Sequence, residues 1–158
     1  MDASDEPGGP GGPAGDCPFC GIAAHPDRAR VVYADEHTVA FFPLSPATRG
    51  HTLVIPRVHT PDLWAMDGAA AERLTHIVLK VGRALQDLLE PEGLNAVSSA
   101  GRSATQTVFH THVHLVPRWR GDAMGPIWPR PEAGFGDDAA LDGIARQLAA
   151  VLGGPPGA

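Results

Sequence analysis

Along this chain apolar and polar positions alternate over several short stretches and recur at spacings of three and four over two long ones. Arg30 to Ala34, Thr38 to Phe42 and Thr52 to Ile55 are rich in Val, Ile, Phe and Thr. Asp35-Glu36 follows the first as a turn, and Pro43-Leu44-Ser45-Pro46 follows the second as a loop. Such runs, bounded by turn formers, predict strands. From Ala69 to Leu89 the period changes. Leu74, Ile77, Val78, Val81, Leu85 and Leu88 fall on one side of a helix, which Pro91 and Gly93 end. Leu94 to Ser98 reads as a strand, Ala100 to Thr105 as a polar loop, and Val108 to Pro117 as the last strand. Helical spacing returns from Ala139 to Leu152, with Leu141, Ile144, Leu148 and Val151 on one side. A strand meander, a long helix, two further strands and a C-terminal helix predict an α+β fold with an antiparallel sheet of about five strands.

A length of 158 residues supports one domain with a real core. The net charge of -6, without a Lys/Arg-rich block, argues against a dedicated nucleic-acid or membrane-surface binder. No stretch approaches the roughly 20 apolar residues of a membrane span, and no N-terminal segment resembles a signal peptide, so the expected location is the cytoplasm. Residues 1–16 are dominated by Gly, Pro, Ala and Asp and cannot bury enough apolar area to offset ordering. They are expected to be disordered, 153–158 to be a flexible tail, and 17–152 to form the single domain.

The chemistry concentrates in the last predicted strand. His110, His112 and His114 alternate with Thr111 and Val113. Residues two apart share a strand face, so the three rings are expected in a row roughly 6.6 Å apart. Each neutral imidazole can donate, accept, ligate or attack. A catalytic metal held by the three rings is one reading, although no Asp or Glu within the strand completes such a set.

The run His110-Thr111-His112-Val113-His114-Leu115-Val116, with Gln106 before it and Pro117-Arg118 after it, resembles the signature of the histidine triad (HIT) family. Val39-Ala40-Phe41-Phe42 and Arg49-Gly50-His51-Thr52-Leu53-Val54-Ile55-Pro56-Arg57-Val58-His59 match further family segments. With Cys17-Pro18-Phe19-Cys20, the resemblance covers roughly residues 17 to 128, and it is similar to the bacterial, zinc-containing relatives of the Hint branch. It implies a homodimer paired through the long helix and the last strand. It also implies a substrate derived from a nucleoside 5′-phosphate, such as a phosphoramidate, a dinucleoside polyphosphate or an acyl-nucleotide. By the same resemblance His112 attacks the α-phosphorus, His114 stabilises the phosphoryl oxygens, and Gln106 and Thr107 donate to them. His51 supports the triad from behind; as a lone residue it reads equally as a buried, hydrogen-bonded ring. Phe19, Ile22, Phe41 and Leu44 align with apolar base-holding positions, each of which also suits core packing. The pattern departs from the family at Pro43, where many relatives carry an acidic residue for the ribose hydroxyls. It departs again at Ser99-Ala100, near the leaving group, and at Thr105, where glycine is frequent.

The Cys17-x-x-Cys20 pair admits a disulfide, a redox pair or half of a zinc site. A reducing cytosol disfavours the first, and the second needs a strand before the motif and a helix opening at it. The third needs two more donors. The resemblance supplies His59 and His110, making a closed, structural zinc site. Two other functions stand beside the enzyme reading: a nucleotide-binding scaffold with incidental turnover, and a zinc hydrolase that uses the triad as ligands.

Overall fold

The computed structural model describes residues 14–154. The expected tails at 1–13 and 155–158 lie outside them. Ala14–Asp16, expected to be disordered, forms a 3-10 turn leading into α1 (Pro18–Ala24). There follow β1 (Arg30–Ala34), β2 (Thr38–Phe42), β3 (Thr52–Pro56), α2 (Gly68–Leu89), β4 (Gly93–Val97), β5 (Val113–Arg118) and α3 (Asp138–Leu152). The chain divides into two compact units, one ending at Gly125 and one beginning at Pro126. Among the described residues no helix is long and apolar enough to cross a membrane.

The strands of the first unit form one antiparallel sheet in the order β1-β2-β3-β5-β4, the α+β architecture that the pattern predicts. Strand pleating sorts its side chains. Ala40, Val54 and Leu115 face α2 and pack with Leu74, Ile77, Val81 and Leu85. Val39, Phe41, Leu53 and Ile55 point the other way and are covered from the α1 side by Phe19, Ile22 and Ala23. Cross-strand partners share a face, so Phe41, Leu53, His114 and Val97 form a row on the α1 side.

One element was not expected, and two expectations need correction. The N-terminal helix carried no periodic signal, because only two turns form; Pro18 at its start, with φ preset for a helix, supports it. Leu88 is exposed, and Leu89 packs on the core instead. The last turn of α2 lies over Gly50, whose φ of 83° and lack of a Cβ make room for Leu89. Most relevant to the site, the ladder of β5 begins only at Val113. Val108 to His112 is not paired as strand, so His114 alone of the three histidines stands in the sheet. The cause lies across the ladder. β3 ends at Pro56, which has no N–H to offer, and Thr111 N donates instead to Thr60 O at 2.7 Å.

Candidate functional site

Each histidine of the triad is oriented by one hydrogen bond, and each bond decides what its other nitrogen can do. His110 is fully buried, and its Nε2–H donates to Pro56 O at 2.8 Å. Its Nδ1 lone pair therefore points away, toward Cys17 Sγ and Cys20 Sγ, both at 3.5 Å. His112 donates from Nδ1 to the carbonyl of His110 at 2.6 Å, which leaves a lone pair on Nε2. For His114 the sequence of donors starts in the β2–β3 loop. Ala47 N–H donates to His51 Nδ1 at 3.0 Å, so His51 carries its proton on Nε2 and donates to His114 Nδ1 at 2.9 Å. His114 thereby holds its own proton on Nε2.

Burial keeps these rings neutral. Desolvation lowers the pKa of His51 and of His112 below the ordinary histidine value. His110 falls to about 4, through burial first and then the rings of His59 and His112. His114 also falls to about 4, through burial first and then the neighbouring His112 and His51. A neutral row of rings offers one attacking nitrogen, on His112, beside one N–H donor, on His114. The ring centroids of these two lie 4.8 Å apart, closer than regular strand spacing, because His112 lies outside the ladder.

Cys17, Cys20, His59 and His110 meet on the far side of His110, with their ligand atoms all within 4.8 Å of one another. Cys20 Sγ lies 3.2 Å from His59 Nδ1. An ion bonded at about 2.3 Å to sulfur and about 2.1 Å to nitrogen sets tetrahedral S···N edges of about 3.6 Å, so the observed separations fit an ion of zinc's size. Both cysteines are free thiols rather than a disulfide. Burial and the adjacent Cys17 push the Cys20 thiol up to about 11, as expected for thiols that require a cation to ionise. Among the described residues this tetrad, and not the three triad rings, brings ligand atoms close enough to hold a metal.

The structure divides the remaining candidates. Phe19 stacks edge-on against Phe41 at 5.6 Å and against His112 at 5.2 Å, so it forms a wall beside the free nitrogen, with Ile22 in the same cluster. Leu44 is fully exposed on its loop and packs in neither cluster. Thr105 and Thr107 are exposed and Ser99 is half-buried. Gln106 is 3 % exposed, and its amide bonds only within the protein. Two supports carried no signal in the sequence. Ser98 Oγ donates to His112 O at 2.9 Å, and the hydroxyls of Thr60 and Thr111 meet at 2.7 Å. Both reach across the fold to backbone or to a distant turn, which local pattern does not encode.

Sheet, row of neutral imidazoles and adjoining metal-type tetrad together define the class of α+β histidine-triad proteins. A model of the HIT domain matches residues 26–121, and the chain belongs to that family. It is 42% identical over 113 residues to Protein hit of Bacillus subtilis, spanning 71% of this chain and 78% of that relative. The crystal structure of a HIT family member from Bacillus subtilis superposes with a TM-score of 0.76 at 38% identity, over 85% of this chain and 96% of that one. A zinc-bound histidine triad family protein from Mycobacterium smegmatis matches with a TM-score of 0.65 at 33% identity, over 88% and 99%.

Proposed function

We propose that this protein cleaves nucleoside 5′-phosphate derivatives at the α-phosphorus through a nucleotidyl-histidine intermediate on His112. One observation carries the reading: the hydrogen bond from His112 Nδ1 to the His110 carbonyl leaves Nε2 as a buried, neutral nucleophile. In the first step the Nε2 lone pair forms a bond to phosphorus, and the leaving group departs with the electron pair of the bond that breaks. The positive charge that develops on the ring is offset by the His110 carbonyl. In the second step water adds to phosphorus, the N–P bond breaks, its pair returns to Nε2, and the proton lost by the water goes to solvent, matching the one that the departed leaving group takes up. The balance is hydrolysis in two displacements, each with a lower barrier than direct attack by water. His114 Nε2–H donates to the phosphoryl oxygens as their charge grows, with the exposed Thr107 as a second donor. The Phe19, Ile22 and Phe41 wall suits a flat base.

The Cys17, Cys20, His59 and His110 tetrad holds zinc in this reading. All four positions are taken by protein donors, so the ion ties α1 to the triad and takes no part in the displacement. Its chemistry is charge neutralisation of two thiolates. The working unit is a homodimer, as the resemblance implies, and its proposed location is the cytoplasm.

Rapid quench with an α-phosphate-labelled nucleoside phosphoramidate, followed by peptide mapping of the acid-labile adduct, tests the mechanism. Label is expected on His112, and His112→Ala should lower turnover by about three or more orders of magnitude, far beyond the roughly 1 kcal/mol of a lost hydrogen bond. His114→Ala should cost less. Label on another residue, or full activity in His112→Ala, overturns the assignment.

A further inference from the structure

We infer that Gln106 is a positioning residue that latches loop 101–107 beside the triad and makes no contact with substrate. Its side chain has two amide hydrogens and one oxygen, and the protein uses all three. Nε2 donates to Pro61 O at 2.7 Å and to Val108 O at 3.1 Å, while Oε1 accepts from Gly101 N at 2.8 Å. Gln106 N in turn donates to Gly101 O at 3.1 Å. Gly101 and Gln106 thus bind each other reciprocally and close the loop into a ring.

Inside that ring the backbone is strained. Thr105, a β-branched residue, is held at φ 66°, in the left-handed region that favours glycine. Such a conformation persists only where its surroundings over-determine it, and the latch supplies that constraint on the residue next in sequence. The amides of Ala104 and Thr105 are also used within the ring, on Gly101 O and Arg102 O. The latch extends outward as well. Pro61 follows Thr60, whose carbonyl accepts from Thr111 N and whose hydroxyl meets that of Thr111. Residues 106 to 111, with His110 between them, are therefore tied at both ends to the turn after His59. Thr107, directly beyond the latch, is left exposed next to the triad segment.

The consequence for turnover rests on the proposed reading of the site as one that receives a phosphate. With the latch closed, Thr107 is presented at a fixed position and the strained loop cannot relax away. With it open, the loop loses register while the rings of His112 and His114 keep their own bonds. Such a defect is expected in kcat more than in KM, since loop order counts most where charge develops.

Two variants decide the matter, each read as a ratio to wild type at the same pH. Gln106→Ala removes all three side-chain bonds. The Gly101 amide should exchange with solvent roughly tenfold faster or more, and kcat should fall with little change in KM. Gln106→Glu keeps the acceptor for Gly101 but places a second carboxylate oxygen against the Pro61 and Val108 carbonyls. Repelled by both carbonyls, the carboxylate should swing out of the latch at neutral pH and carry the Gly101 acceptor with it, so that the variant matches Gln106→Ala. As the pH falls and the introduced carboxyl takes a proton, one donor returns, and both amide protection and kcat should recover, which Gln106→Ala cannot do. Unchanged protection at Gly101 in both variants, or a rise in KM alone without recovery in acid, overturns the latch and makes Gln106 a substrate contact. If the wild-type protein turns over no nucleotide, the proposed function fails, and the exchange measurements still decide the latch.

Discussion

His110, His112 and His114 share a residue type and a spacing, yet each is committed to a different task by a single backbone or side-chain partner. Pro56 O turns the lone pair of His110 toward the cysteines, His110 O frees Nε2 of His112, and His51 hands His114 its tautomer. A pH dependence follows from the last of these. The pKa of His114 is depressed, so its protonated form is disfavoured in the fold, with the rings of His51 and His112 facing it. The unfolded chain takes up that proton near 6.5, and so stability is complete above this value and declines as the pH falls toward the folded value of about 4. At pH 5 the loss traceable to His114 should be about 2 kcal/mol relative to pH 7.5. Urea midpoints at the two pH values measure it. His114→Asn should flatten the decline, and an equal decline in that variant would show that the group responsible lies elsewhere.

Among the elements, α1 depends most on what it touches. It has seven residues, and its N-cap, Cys17, makes no side-chain capping bond, so propensity alone does not sustain it. Its attachments are the Phe19, Ile22 and Ala23 contacts, a bond from the Arg57 guanidinium to Ala23 O, and the thiols of the tetrad. Replacing Cys17 and Cys20 together with serine should abolish bound zinc and lower the melting temperature by several degrees or more, with α1 amides losing protection first. Some turnover should survive, since His112 draws its orienting bond from the His110 carbonyl and His114 draws its own from His51, with Ala47 behind it, rather than from α1. Metal analysis that finds no zinc in freshly purified protein would remove the hypothesis. The long helix is the contrasting case. Asp67 caps it by accepting from Ala70 N at 2.8 Å, and Leu74, Ile77, Val81 and Leu85 bury one face against the sheet.

For the molecule as a whole, α2 is amphipathic, and the family resemblance implies that two copies pair through this helix and the last strand. A pair that persists at micromolar concentration is expected to give a light-scattering mass of about twice the 16.5 kDa of one chain. A mass near that of one chain would exclude it as the working unit.

The order of the strands and of the two long helices, the sheet type and the family were legible in the sequence, because strand and helix periods are local and the histidine spacing is specific; the short α1 left no periodic signal, and His59 and His110 joined Cys17 and Cys20 only through the family resemblance. Tertiary structure decided the rest. A period of two places His110, His112 and His114 on one strand face, but pairing needs a donor from the neighbouring strand. Pro56 withholds it, so the segment detaches and His110 turns into the tetrad. The tautomers depend on carbonyls and amides such as Pro56 O and Ala47 N, which every residue type possesses and no composition marks. Gln106 reads by resemblance as a phosphate donor, and only the fold shows that Gly101, Pro61 and Val108 lie within reach of its amide. Which residues this chain brings to the site follows from its sequence; which nitrogen of each ring is free follows only from the backbone folded around it.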